Sequence, residues 1–232
     1  MISEYQLKKI EGRLAEVRER IARAVRLAGR AATPVRLVLA SKTQPPEAIA
    51  AAYEAGAREF GENYVQEAVA KRAALANLSD IRWHMIGHLQ TNKAKDALET
   101  FDIIETLDSE RLANALARVR PSPTMPVLVE VNLGGETSKT GVAPDRVEAL
   151  INAVRARVEV LGLMTIPPPA ANPAAMRPYF ARLRELRDRL AATTGLALSE
   201  LSMGMTEDFE VAIEEGATIV RIGRAVFGER TQ

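Results

Sequence analysis

The chain has 232 residues, a length typical of a single barrel of alternating strands and helices. Its 31 basic and 30 acidic side chains give a formal net charge of +1, so no strong field is available to attract nucleic acid or an anionic membrane. The absence of cysteine excludes disulfides and thiolate chemistry, and the two histidines, His84 and His88, lack the acidic neighbours of a dedicated metal site.

The first predicted element is an amphipathic helix. Apolar residues recur at steps of three and four from Leu7 to Val25, and Ser3 is placed to cap the helix. Glutamates throughout this stretch and the lack of an uninterrupted apolar core argue against a targeting peptide. No stretch of the sequence reaches transmembrane length. We therefore expect a cytoplasmic protein.

Short apolar runs then alternate with helical patterns along the rest of the chain. The runs predicted to be strands are 35–41, 57–61, 81–87, 101–107, 126–133, 158–166, 197–203 and 218–223. Helical patterns include 46–55, 62–75, 109–119, 144–156, 174–192 and 206–214. The proline-rich segment 167–173 is expected to form a stiff loop over the strand ends.

This order predicts parallel strands joined by right-handed crossovers. A closed (β/α)8 TIM barrel, with residues 1–232 as one domain, leaves no sheet edge exposed and is the favoured fold. An open doubly wound sheet is the alternative. It would require a glycine-rich turn after its first strand, and residues 41–44 contain no glycine.

Strand alternation predicts which side chains face the inside of the barrel. If Lys42 faces inward at the end of the first strand, Asn132 in the fifth and Arg221 in the eighth lie near the same carboxyl-terminal rim. A lysine near an arginine has a lowered pKa, which leaves neutral amine to attack an aldehyde. Taken alone, however, Lys42 also fits an ordinary solvated lysine.

Other polar residues on inward positions are expected to be structural. His84 is predicted to be a hydrogen-bonded core histidine rather than a proton shuttle. Four charged residues are expected low in the barrel, where they can pair with one another: Arg36, Arg82, Glu130 and Glu200.

Two turns late in the chain predict a phosphate site. Residues 202–206, Ser-Met-Gly-Met-Thr, place hydroxyls and free N–H groups at the start of a helix, and Gly223-Arg224 follows the neighbouring strand. Either turn alone fits an ordinary helix cap, but the pair occupies the customary phosphate position of this fold. Together with Lys42 and Arg221, they suggest pyridoxal 5′-phosphate, a phosphorylated aldehyde.

Eight stretches, in order along the chain, resemble a known family. They are 40–43 (ASKT), 60–67 (FGENYVQE), 83–87 (WHMIG), 89–93 (LQTNK), 162–164 (GLM), 202–205 (SMGM), 208–210 (DFE) and 220–223 (VRIG). The family is that of the pyridoxal phosphate homeostasis proteins. The resemblance implies a barrel similar to that of alanine racemase, with an extra amino-terminal helix and without that enzyme's second, all-β domain. It also implies buffering or delivery of the cofactor without robust catalysis.

The resemblance further implies roles for individual residues. Lys42 corresponds to the lysine that holds pyridoxal 5′-phosphate as a covalent aldimine. The other expected cofactor contacts are Asn63, His84, Asn132 and Met164 around the pocket, Ser202, Met203, Gly204, Gly223 and Arg224 at the phosphate, and Arg221 at the pyridine ring. Two departures stand out: Arg224 replaces a small hydroxyl residue of many relatives, and His88 replaces a common proline.

Two enzymatic alternatives remain open at this stage. One is an amino-acid racemase or decarboxylase that uses the same cofactor and has Tyr64 or His84 as a second acid–base group. The other is a barrel aldolase that uses Lys42 on a sugar phosphate. Lys139, in the loop after the fifth strand, could provide a second amine. The expected partners of a monomeric carrier are the cofactor and the apoenzymes that require it, with no nucleic acid and no membrane.

Overall fold

The computed structural model describes residues 4–119, 125–135, 140–168 and 172–228. Within these ranges, eight parallel strands form a closed barrel in chain order, and pairing between the first and last strands closes it. The strands are β1 (Arg36–Ala40), β2 (Glu59–Glu62), β3 (Arg82–Met85), β4 (Ile103–Leu107), β5 (Pro126–Glu130), β6 (Glu159–Met164), β7 (Glu200–Ser202) and β8 (Ile219–Ile222). The predicted (β/α)8 barrel is confirmed, and the open sheet is excluded.

Helices surround the barrel. The α-helices of the described ranges are α1 (Glu4–Leu27), α2 (Pro46–Glu54), α3 (Val65–Ala74), α4 (Ala94–Thr100), α5 (Glu110–Val119), α6 (Val147–Val154), α7 (Arg177–Thr194), α8 (Phe209–Glu214) and α9 (Arg224–Phe227). Short 3-10 helices at Thr91–Lys93 and Pro173–Met176 precede α4 and α7. Among the described residues, no helix combines the length and apolar character needed to cross a bilayer.

The amino-terminal helix α1 completes the outer layer of the barrel. It packs against α2, α8 and α9, and its buried apolar face enters the core that lies between sheet and helices. In a regular barrel, the helix after the eighth strand would occupy this place. Here α9 spans only Arg224–Phe227, and α1 covers the position instead. The predicted cap Ser3 lies outside the described residues.

The strand boundaries differ from the predicted ones for local reasons. The seventh strand was predicted over 197–203, but Leu198 has a φ of 41°, which is incompatible with an extended ladder, and β7 begins at Glu200. Helix α4 was missed because it is one short element without strong terminal signals. The helix predicted over 174–192 begins as a 3-10 turn capped by Asn172, whose side-chain oxygen accepts the N–H of Ala174.

The inside of the barrel is partly apolar and partly charged. Its apolar layer consists of Val38, Ile103, Leu128, Met164 and Ile219. The charged part includes Glu105 of β4, Glu130 of β5 and Arg221 of β8, all of which are buried. Gly162 permits close strand contact at β6, since a Cβ there would lie 1.9 Å from the carbonyl oxygen of Glu200.

Candidate functional site

A cavity of about 280 Å³ opens at the carboxyl-terminal rim. Lys42, Arg221, Gly223 and Arg224 line it, as do Met205 and Thr206 from the turn after β7. The apolar part of the wall comes from Pro167, Pro168, Pro173, Met176 and Phe227. Three prolines of the predicted loop, Pro167, Pro168 and Pro173, therefore lie beside the strand ends. Residues 169–171 of this segment lie outside the described ranges.

Lys42 lies two residues beyond Ala40, the last residue of β1, and is partly buried at the cavity wall. The chain turns immediately, because the Gln44 N–H donates to the carbonyl of Ser41 at 2.9 Å. Pro46 then starts α2, where a proline is favourable at the first helical position. The strand end and the turn thus place the amine of Lys42 at the rim, where sequence alternation predicted it.

Arg221 in β8 is buried and fixed by hydrogen bonds. Its Nη1 donates to Ser202 Oγ at 2.5 Å, and its Nη2 donates to the carbonyl of Thr165 at 2.9 Å. Burial lowers the pKa of its guanidinium, while the carboxylate of Glu105, 3.9 Å from Nη1, acts in the opposite direction. An arginine retains its proton even so, and Arg221 therefore places a fixed positive charge at the cavity wall.

Glu105 and His84 form a buried network beneath Arg221. Glu105 Oε2 accepts from Ser202 Oγ, and Glu105 Oε1 lies 2.6 Å from His84 Nδ1. His84 Nε2 in turn lies 3.1 Å from Glu59 Oε2. Burial disfavours the charged forms of both groups, but their mutual attraction prevails. It raises the pKa of His84 and lowers that of Glu105.

The pH dependence of stability follows from these two pKa changes. A lowered pKa of Glu105 adds stability above its ordinary value of 4.5, and this is lost as pH falls through the lowered pKa. A raised pKa of His84 adds stability below its ordinary value of 6.5, and this is lost as pH rises through the raised pKa. The variant His84→Gln tests this. Its loss of unfolding free energy relative to the wild type should be largest between pH 4.5 and 6.5.

Denaturant unfolding at a series of pH values measures this difference. The matched control is His88→Gln, because His88 is half exposed in its 3.4 Å ion pair with Asp108. Its difference from the wild type should be small, because solvent screens an ion pair at the surface. A difference for His84→Gln that grows toward alkaline pH would contradict the charges assigned to the network.

The charged residues expected low in the barrel divide into two groups. Arg36 pairs with Glu200 at 3.2 Å and Glu59 at 3.7 Å, as the prediction for the barrel floor required. Arg82 is instead exposed. Glu130 is the last residue of β5 and lies near the upper rim, where its Oε1 accepts from Thr140 at 2.7 Å. Its predicted low position was wrong because β5 ends earlier than expected.

The turn after β7 has the backbone conformation that glycine favours. Gly204 has a φ of 92°, and a Cβ on it would lie 2.5 Å from Ala212 Cβ. Asp208 Oδ1 accepts the N–H of Met205 at 2.6 Å, and the Gly204 carbonyl accepts the N–H of Arg221 at 3.0 Å. The turn is therefore rigidly joined to β8. Burial is the main cause of the raised pKa of Asp208.

The turn after β8 approaches β1 closely. A Cβ on Gly223 would lie 3.0 Å from the carbonyl oxygen of Ala40. Arg224 Nη2 donates to Glu207 Oε1 at 2.8 Å, and both side chains remain about half or more exposed at the rim. The departure at position 224 thus adds a cation to the cavity wall, balanced by a neighbouring carboxylate.

Several expected contact residues do not line the cavity. Five of them are buried and are absent from the cavity lining: His84, Met164, Ser202, Met203 and Gly204. Asn63 and Asn132 are partly buried on other strand ends. Asn63 Oδ1 is buried without a hydrogen-bond partner among the described residues, whereas Asn132 Oδ1 accepts the N–H of Gly135 at 3.0 Å. Lys139 lies outside the described residues.

Sequence reasoning missed Glu105, the acid between His84 and Arg221. A glutamate within the otherwise buried stretch Ile103–Leu107 was the available signal, since a charge on a buried strand needs a partner. Glu62 and Glu67 lie in the motif of residues 60–67, but the sequence indicated no role for either side chain.

Fold and site together define a class of protein: a (β/α)8 barrel in which a strand-end lysine and a buried arginine meet at one rim cavity between two glycine turns. Comparison with known proteins agrees with this class. A family model described as alanine racemase, N-terminal domain, matches residues 13–231.

Individual relatives narrow the assignment. The chain is 50% identical over 222 residues to the pyridoxal phosphate homeostasis protein of Aquifex aeolicus, covering 94% of this chain and 97% of that one. The protein of the same name from Pseudomonas aeruginosa is 46% identical over 221 residues, 94% of each chain. The structure of PipY of Synechococcus elongatus with PLP bound is 38% identical, with a TM-score of 0.84, and covers 94% of this chain and 100% of that chain. The chain therefore belongs to the alanine racemase N-terminal domain family and, within it, to the pyridoxal phosphate homeostasis proteins.

Proposed function

We propose that this protein binds pyridoxal 5′-phosphate on Lys42 and stores or delivers it without robust catalysis. The main support for this proposal is that Lys42 and the buried Arg221 line the same cavity, between the turns after β7 and β8. Pyridoxal phosphate supplies an aldehyde that reacts with amines and a ring that withdraws electrons. The relatives of this chain that are named pyridoxal phosphate homeostasis proteins, and the structure of PipY with PLP bound, support this choice of ligand.

The residues of the cavity fit the three functional groups of this ligand. The amine of Lys42 can carry the aldehyde covalently. Arg221 can donate to the pyridine nitrogen. Backbone N–H groups near Thr206 and Arg224, with the Arg224 side chain, can receive the phosphate. The apolar prolines and Phe227 of the cavity wall would pack against the ring.

Two features favour a carrier over a catalyst. Arg221 can donate but does not give up its proton, so it leaves the pyridine nitrogen unprotonated and the ring a weaker electron sink. The two candidates for a second acid–base group do not line the cavity: Tyr64 is 64% exposed, and His84 is fully buried between two glutamates.

The proposal extends to the cellular context. Residues 1–232 act as one cofactor-binding domain, as a monomer in the cytoplasm. Its partners are pyridoxal phosphate and the apoenzymes that require it, rather than nucleic acid or membranes. The near-neutral net charge of +1 agrees with the last point.

Deuterium exchange at the α-carbon of amino acids tests the carrier proposal against the enzyme alternative. The holoprotein should exchange α-protons far below enzyme-like rates of about 1–1000 per second. The same preparation should pass its cofactor to an apoenzyme in a coupled assay. The control is Lys42→Ala, which removes the amine. Rapid, Lys42-dependent exchange or racemisation would replace the carrier by a racemase or decarboxylase. A protein that stays colourless with pyridoxal phosphate but cleaves a sugar phosphate would be an aldolase.

A further inference from the structure

The turn that carries Lys42 is held in a strained conformation. Thr43, the next residue, has a φ of 65°. This left-handed region is disfavoured for β-branched residues and is normally occupied by glycine or asparagine in such a turn. Strain of this kind persists only where the surroundings enforce it, and it concentrates at functional sites. The contacts around residues 41–44 show what enforces it.

A buried lysine forms the centre of those contacts. Lys71 of α3 is only 6% exposed along its side chain. Its Nζ donates to the Ser41 carbonyl at 2.8 Å, to Glu62 Oε1 at 2.8 Å and to Glu67 Oε1 at 2.6 Å. The three donors of the ammonium group are thus used, one of them on the residue before Lys42.

The two carboxylates of this cluster also contact the Lys42 turn. Glu62 Oε1 accepts from Ser41 Oγ at 2.6 Å, and Glu67 Oε1 accepts the backbone N–H of Thr43 at 2.6 Å. The residues on both sides of Lys42 are therefore bound to one buried ion cluster. Its members, Lys71, Glu62 and Glu67, are named here the Lys71 clamp.

We propose that the Lys71 clamp positions Lys42, by holding Thr43 in its left-handed conformation and thereby directing the Lys42 amine into the rim cavity. The inference rests on the proposed function, in which Lys42 is the attachment point. The clamp residues do not line the cavity, so they act through the backbone of the turn. Two residues of the 60–67 motif, Glu62 and Glu67, thus act on the site through their hydrogen bonds to Ser41 and Thr43.

The release of Thr43 should displace the amine. Without its acceptor on Glu67, Thr43 can relax to an ordinary φ, which changes the direction of the chain directly after Lys42. Displacement of a reacting group by about 1 Å can slow a reaction roughly 100-fold. Removal of the Glu67 carboxylate should therefore slow the reaction of Lys42 even where the protein remains folded.

The test uses Glu67→Ala, because the Glu67 side chain is 27% exposed and its removal leaves the buried Lys71–Glu62 pair intact. The apoprotein is mixed with pyridoxal phosphate, and the visible absorbance of the Lys42-bound cofactor is followed. Glu67→Ala should attach the cofactor about 10- to 100-fold more slowly than the wild type. In addition, amide hydrogen exchange over residues 41–44 should become faster.

A rescue variant separates positioning from a general structural role. Glycine tolerates a φ of 65° without a Cβ clash, so Thr43→Gly should need no clamp. The double variant Glu67→Ala with Thr43→Gly should regain a rate within about threefold of the wild type. The matched control is Glu215→Ala, which breaks ion pairs with Arg177 and Arg184. Glu215 follows the last residue of α8 and does not contact the clamp, so its removal should leave the rate unchanged.

The outcomes are distinct for the clamp and for the proposed function. Attachment by Glu67→Ala at the wild-type rate, or no rescue by Thr43→Gly, would overturn the clamp. Failure of the wild type itself to attach the cofactor at Lys42 would overturn the proposed function instead. Hydrogen exchange at residues 41–44 would still decide the clamp in that case, since unchanged exchange in Glu67→Ala overturns it.

Discussion

Replacing Lys42 with alanine is expected to abolish covalent attachment of pyridoxal phosphate. Lys42 is the amine at the cavity wall where Arg221 and the two glycine turns converge. Without it, the ligand keeps only its non-covalent contacts, and affinity should fall at least about 100-fold, or about 2.8 kcal/mol. Spectral titration with the cofactor measures both the loss of the bound colour and the loss of affinity.

The matched control is Lys95→Ala, which removes an exposed lysine of α4. It should bind the cofactor like the wild type. A Lys42→Ala protein that remains normally coloured would show that another amine carries the cofactor, and the assignment of the site would be wrong.

Replacing Glu105 with alanine is expected to cause the largest loss of stability. Glu105 is fully buried and joins His84 Nδ1 at 2.6 Å to the Ser202–Arg221 pair. Its removal leaves the buried Arg221 guanidinium and the His84 ring without their shared carboxylate, and loss of one partner of a buried ion pair costs about 3–5 kcal/mol. Denaturant unfolding at neutral pH measures the change in the free energy of unfolding.

An exposed carboxylate gives the comparison for this variant. Glu110 pairs with Arg157 at 3.3 Å on the surface, and Glu110→Ala should change stability by no more than about 1 kcal/mol. Equal effects of the two substitutions would mean that the buried network does not carry the charges assigned to it. A Glu105→Ala protein that cannot be purified folded can be examined as Glu105→Gln, for which a smaller loss in the same direction is expected.

The sequence was sufficient to predict the barrel and the meeting of Lys42 with Arg221. Both follow from periodicity: alternation assigns inward positions, and closure of the sheet brings β8 beside β1. Local turn chemistry likewise indicated a glycine turn after β7, where Gly204 adopts a positive φ that glycine tolerates most easily.

The partners of buried charges could not be predicted in the same way. Glu105 meets His84 and Ser202 only because β3, β4 and β7 enclose one space, and no local pattern specifies that geometry. Likewise, nothing in the sequence around Thr43 indicates a left-handed residue. In the structure, the backbone N–H of Thr43 donates to Glu67 Oε1 of α3, 24 residues further along the chain.

Errors in strand length had direct consequences for the site. The fifth strand was predicted to extend to residue 133 but ends at Glu130, which placed Glu130 too low and Asn132 within the strand. In the structure, Asn132 lies beyond the strand and its side chain accepts the N–H of Gly135. Boundaries depend on tertiary contacts such as the bridge between Val131 and Val142, and these are not visible in a single sequence.

Borohydride reduction of the holoprotein, followed by peptide mapping, tests the central claim most directly. Reduction fixes the cofactor on the nitrogen that carries it, and mass spectrometry identifies the modified residue. The account predicts a single major pyridoxyl group on Lys42, at the wall of the rim cavity. Recovery of the label on Lys93 or Lys139, with Lys42 unmodified, would contradict it.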